Sequence, residues 1–181
     1  MLGTRTVPPA HPAFASLPVQ QIAVDDARES MAIHVAGELL IGRPPVICLP
    51  GYHRNMSDFT ELVGLFHRAI GEKWPVVLVD LKGRGRSADR RDKSRYVTTI
   101  DARDVSAVCT ALCVESAVFI GQGYGGQVAM ALGLERPTLI AGTVLIDSGP
   151  LSDPRGLVRL RNNLNDLDGL RSATGLRSMF R

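Results

Sequence analysis

The chain has 181 residues, 45% hydrophobic and 22% charged, a composition that suits one globular domain with a sizeable core. Its net charge of +3 is mildly basic and gives no nucleic-acid signal. No apolar run reaches the length of a membrane span or of a signal-peptide core, and three cysteines without C-x-x-C spacing form neither a disulfide framework nor a metal site. A reducing cytosol is the expected location, with no metal and no cofactor.

Residues 1–18 carry four prolines and read as a loose arm. Residues 19–24 and 31–35 are short strands joined by a polar turn, an antiparallel hairpin at a sheet edge. Residues 45–49 form a third strand. Ser57 and Asp58 open a helix in which Phe59, Leu62, Val63, Phe66 and Ile70 recur at helical spacing. The fourth strand, 76–79, runs into a basic loop with Lys82, Arg84, Arg86, Arg90, Arg91, Lys93 and Arg95. Without interleaved aromatic residues this is expected to be a solvated loop rather than a phosphate-binding patch. Thr99 caps a helix with Val105, Val108, Cys109 and Leu112 inward. Cys109 and Cys113, one turn apart, share a face as small buried residues.

Residues 118–120 and 143–146 complete six strands. The last four are near-continuous apolar runs, as in parallel strands covered by helices on both faces. Beyond residue 150 no strand follows, and Leu157, Leu160, Leu164 and Leu167 lie on a helical stripe. The expected fold class is therefore α/β, with a mostly parallel sheet of about six strands.

The stretch AVFIGQGYGGQVAM, residues 117–130, reads as a strand, a tight glycine turn and a helix start. Such a turn holds one side chain above a sheet, and in the G-x-S-x-G nucleophile elbow that side chain is serine. Here the middle residue is Gly123, which has no side chain to attack with. The same glycines also spell G-x-G-x-x-G at Gly121, Gly123 and Gly126, with Asp147 about 20 residues on, the pattern of a dinucleotide-binding turn.

Three further segments accompany the elbow in order: PVICLPG followed by Tyr52, VVLVDLKGRGRS containing Asp80, and LIAGTVLIDSGP. Together, over residues 20–160, they resemble the first half of an α/β-hydrolase of the single-domain type that includes esterases, epoxide hydrolases and haloalkane dehalogenases. The resemblance implies an incomplete hydrolase core over residues 19–150 and the start of a helical lid or tail over 151–181. It implies oxyanion-hole backbone donors at Tyr52 and Tyr124, with His53 and Asp80 beside the pocket. For His53 a surface loop role, and for Asp80 loop hydrogen bonding, are the alternatives. Ser87 and Ser148 are loop hydroxyls.

The chain departs from the family where chemistry is concerned. Pro50-Gly51 stands where His-Gly is usual, and Gly123 where Ser or Asp is usual. All four histidines (His11, His34, His53 and His67) precede the elbow, so none can be the family's general base by position. No catalytic residue is assigned. Three readings follow: a truncated hydrolase relative without hydrolytic activity, a non-catalytic binder of a small carbonyl or anionic ligand or of a protein, and a dinucleotide-binding module. Restoring serine at 123 is expected to cost little stability and to restore no activity. The uncharged strand 143–146 and the leucine stripe predict self-association or a complementary chain. Nucleic acid and membrane are not expected partners.

Overall fold

In this computed structural model the described residues are 17–24 and 29–150, with Arg155, Val158 and Asn162 beyond them. The sheet lies within the first of two compact units, Met1–Ser148. Of the second, Gly149–Arg181, the leucine stripe falls outside the described residues.

Among the described residues six strands form one sheet: β1 (Gln20–Ala23), β2 (Ser30–Ala36), β3 (Val46–Leu49), β4 (Val76–Val79), β5 (Ala117–Gln122) and β6 (Ile140–Ile146). The strand order is β1-β2-β4-β3-β5-β6. β1 and β2 pair as the antiparallel hairpin, β2 lies antiparallel to β4, and β4, β3, β5 and β6 run parallel. β3 and β4, VICL and VVLV, are buried at every residue, because helices cover both faces of the sheet centre.

Helix α1 (Thr60–Ile70) lies over one face, and α2 (Thr98–Ala111) and α3 (Tyr124–Glu135) over the other. Leu62, Val63 and Phe66 of α1 pack on Ala32, Cys48, Leu78, Met56 and Phe59. Val105, Val108 and Cys109 of α2 and Val128 and Leu132 of α3 pack on Ile33, Leu49, Val79 and Phe119. The chain enters α1 through a short 3-10 turn capped by Asn55, whose Oδ1 accepts the Ser57 N–H at 2.9 Å, so the cap lies two residues before Ser57.

Four expectations change. Ile70 is exposed at the end of α1, one turn beyond the buried stripe. Cys113 is exposed as well, because α2 ends at Ala111 and Cys113 follows in a left-handed conformation, φ 54°. Cys109 stays buried. β6 is not covered on both faces: Val144, Leu145 and Ile146 are all exposed, and among the described residues β6 pairs with β5 alone.

The basic loop is not simply solvated. Lys82 and Arg90 are buried, Arg84 and Arg86 half-buried, and only Arg91 and Lys93 of the group stand in solvent. Arg90 Nη2 donates to Asp101 Oδ1 at 2.5 Å and to Asp104 Oδ2 at 2.6 Å, both on α2. Lys82 Nζ lies 3.7 Å from Glu29. The loop's charges neutralise acids inside the fold, so it forms an internal ion-pair frame rather than a phosphate patch.

Candidate functional site: the glycine elbow

Strand β5 ends at Gln122 and α3 begins at Tyr124, leaving Gly123 alone to make the turn. Its φ of 50° and ψ of −112° lie in a region that residues with a Cβ adopt only under strain. The Gly123 N–H donates to the Ile146 carbonyl at 2.8 Å, tying the elbow to the carboxyl end of β6. Its own carbonyl accepts from the N–H groups of Gly126 and Gln127.

Close approach explains the surrounding glycines. A Cβ on Gly125 would collide with the Leu49 carbonyl, one on Gly121 with the backbone of Gly126, and one on Gly126 with the Ser148 side chain. The turn before α3 is thus wedged against β3 and its exit loop. Gly121 and Gly126 spend their freedom on this internal packing, so the elbow's own geometry accounts for both. Asp147 does end the neighbouring strand, with φ 49°, and is exposed.

Gly123 is different. A Cβ there would meet only the Gly51 Cα, at 4.0 Å, so the position of the family's nucleophile is an unfilled space facing the loop after β3. That loop, Pro50, Gly51 and Tyr52, brings Tyr52 over the elbow: its ring centroid lies 4.4 Å from that of Tyr124. Neither the Tyr52 nor the Tyr124 N–H finds a hydrogen-bond acceptor among the described residues. Two backbone donors, on the two segments that flank the space, suit a carbonyl oxygen or an anion.

The two tyrosines are held from behind. The Tyr124 hydroxyl donates to Asp101 Oδ2 at 2.7 Å, and burial, then the charge of Asp101, keeps its pKa above the ordinary phenol range. The Arg84 guanidinium carbon sits 4.7 Å from the Tyr124 ring centroid and 5.7 Å from that of Tyr52. Its Nη1 lies 3.8 Å from Asp101 Oδ2. Sequence reading missed this support. The available signal was positional: Asp101 and Asp104 share the helical stripe of Val105 and Val108, an unusual place for unpaired acids.

Asp80, at the carboxyl end of β4, serves the loop. Its fully buried carboxylate accepts the Met56 N–H at 2.7 Å and the Arg86 N–H at 2.8 Å. Burial pushes its pKa up, against those two hydrogen bonds. The Ser87 hydroxyl donates to the Asp80 carbonyl at 2.5 Å and accepts the Ala32 N–H at 2.8 Å, which pins it away from chemistry. Ser148 Oγ is buried against Gly126 with no hydrogen-bond partner among the described residues.

No described histidine is placed as a base. His53 stands exposed in the loop, its ring 6.3 Å from that of Tyr52. His34 Nδ1 lies 2.7 Å from the Pro18 carbonyl, and His67 Nε2 2.9 Å from that of Trp74. His11 is outside the described residues. A cleft of about 320 Å³ lined by residues 39–45 and 112–116 lies at the amino ends of β3 and β5, at the opposite end of the strands from the elbow.

Comparison with known proteins agrees with this geometry. The family model for the alpha/beta hydrolase fold matches residues 44–171. A serine hydrolase-like protein of Danio rerio is 30% identical over 125 residues, 67% of this chain and 37% of that protein. The crystal structure of an alpha/beta hydrolase from Novosphingobium aromaticivorans superposes with a TM-score of 0.69 at 32% identity, covering 81% of this chain and 49% of that one. An N-acyl homoserine lactone degrading enzyme gives a TM-score of 0.63 at 25% identity, over 84% of this chain and 55% of that one. The chain spans less than half the length of the first two sequence relatives it matches. The β-strand order, the elbow between β5 and α3 and the match over residues 44–171 all belong to one family: this chain is a member of the α/β-hydrolase fold family.

Proposed function

We propose that this chain is a non-hydrolytic member of its family, and that its elbow holds a small carbonyl-bearing or anionic ligand without cleaving it. The observation that carries the reading is Gly123. At the apex of an otherwise intact elbow there is no side-chain atom to form a covalent intermediate, and the space is bounded by Gly51 instead. The described histidines support it, since none lies in the elbow and two are engaged with backbone carbonyls elsewhere. Backbone donors at Tyr52 and Tyr124 keep the capacity to bind an acyl oxygen, and in a working enzyme each such donor contributes ~100-fold or more to rate. Without a nucleophile at the elbow, that capacity yields binding alone.

The test uses p-nitrophenyl acetate for turnover and, because one structural neighbour is described as acting on it, an N-acyl homoserine lactone for binding. Calorimetric titration of the lactone is expected to give saturable heats while mass analysis recovers the ring unopened. Enzyme-dependent release of p-nitrophenol or opening of the lactone overturns the non-hydrolytic reading. Absence of saturable heats with intact lactone overturns this ligand class.

A further inference from the structure

The cleft at the amino ends of β3 and β5, about 320 Å³ in volume, lies at the far end of the strands from the elbow. Residues 39–45 form one wall and residues 112–116 the other, and both lie in the first compact unit. Backbone hydrogen bonds fix each wall in place. The Glu38 N–H donates to the Lys73 carbonyl at 3.1 Å, the Arg43 N–H to the Leu40 carbonyl at 3.2 Å and the Val118 N–H to the Pro45 carbonyl at 2.9 Å. On the other side the Val114 N–H donates to the Cys109 carbonyl at 2.8 Å as the chain leaves α2. A preformed space at the small end of the range for ligand sites suits a compact molecule.

Its lining states the chemistry of that molecule. Leu39, Leu40 and Pro44 on the first wall and Leu112 and Val114 on the second are apolar. Each wall also carries one charge. Arg43 is half-buried, its guanidinium carbon 5.2 Å from the Trp74 ring centroid. Glu115 faces it from the second wall and is exposed. Among the described residues neither makes an ion pair, with the other or with a third group. A half-buried cation without a counter-ion favours a carboxylate, while a glutamate across the cleft favours an ammonium and opposes a polyanion. We propose that this cleft binds a small zwitterion with an apolar body, the chemistry of a free α-amino acid with an aliphatic side chain. The carboxylate goes to Arg43, the ammonium to Glu115 and the side chain to the leucines between them. The site is independent of the ligand reading for the elbow, with which it shares no residue.

Cys113, exposed on the second wall, reports occupancy. L-leucine is expected to slow its alkylation by iodoacetamide saturably, followed by intact mass on the 181-residue chain. Leucinamide, which lacks the carboxylate, is expected to bind about tenfold more weakly. N-acetylleucine, which lacks the ammonium, is expected to lose about threefold, because Glu115 is the more solvated partner. Arg43→Met is expected to abolish the preference over leucinamide, and Glu115→Gln the preference over N-acetylleucine, with both thermal melts intact. No saturable protection by L-leucine overturns the proposal, and so does equal protection by leucinamide. N-acetylleucine binding more tightly than leucine would make this a site for plain apolar carboxylates and overturns the zwitterion. A preference over leucinamide that survives in folded Arg43→Met overturns the carboxylate contact, and one over N-acetylleucine that survives in Glu115→Gln overturns the ammonium contact. Should either variant fail to melt cooperatively, the wild-type order decides: leucine tightest of the three supports the proposal, and any other order overturns it.

Discussion

Gly123 separates two properties that the elbow joins in its active relatives: room for a side chain and a backbone that would rather not carry one. The nearest atom to an added Cβ is 4.0 Å away, yet φ is 50° and ψ −112°, so Gly123→Ser fits the space and strains the chain. The sequence alone suggested that serine would cost little. The backbone angles set the cost at about 1–3 kcal/mol, measurable as a lowered denaturation midpoint, with no gain in ester hydrolysis. Gly125 is the contrasting case. Gly125→Ala drives a methyl group into the Leu49 carbonyl, and since backbone on both sides is fixed by β3 and α3, a loss of about 3 kcal/mol or more is expected in the same melt. Cysteine reactivity separates the buried thiols from the exposed one. Burial pushes the Cys48 and Cys109 thiols up to about 12, so at pH 8 they remain protonated as well as inaccessible. Titration of the native chain with a thiol reagent should therefore modify one equivalent, at Cys113, and all three cysteines only after denaturation. Two or more equivalents in the native state would contradict the packing of β3 or α2.

Among the elements, the loop after β4 shows where sequence reading reached its limit. The strands β3 and β4 were legible because four consecutive apolar residues bounded by proline and aspartate have few other uses. The elbow was legible because three glycines between a strand and a helix need a close approach to explain them. The basic loop was misread because the partners of its charges lie elsewhere in the chain: Arg90 meets Asp101 and Asp104 on α2, and Lys82 meets Glu29 before β2. Local composition cannot show that a positive run points inward. The pairing has an energetic consequence. Arg90 and Asp101 are each about 1% exposed at the side chain, so Arg90→Met leaves two buried carboxylates facing each other without their shared cation. A loss of about 3–5 kcal/mol is expected, larger than for any exposed arginine of the same loop, such as Arg91. Because Asp101 also anchors the Tyr124 hydroxyl, the damage should extend to the elbow: ligand binding should weaken in Arg90→Met beyond what the fraction unfolded accounts for. An unchanged dissociation constant in the folded fraction would show that the frame and the elbow are independent.

At the scale of the whole molecule, family membership and fold follow from sheet order, elbow position and the match over residues 44–171, and both could be read in the sequence from four segments in their order. The apolar, uncharged run that forms the end of β6 was legible too. The stack of Tyr52, Tyr124 and Arg84 was not, since it joins two loops and a helix start whose only common signal is their place at the carboxyl ends of parallel strands. What we propose for the whole chain is that no residue stands in for the nucleophile that Gly123 cannot supply. It is tested most directly by incubating the folded chain with a fluorophosphonate probe and reading the intact mass, with peptide mapping of any adduct. The account predicts no stoichiometric adduct on any serine, including Ser87 and Ser148, the hydroxyls nearest to Asp80 and Gly126. One equivalent of probe on a single serine, abolished by denaturing the chain first, would show an activated nucleophile and contradict it.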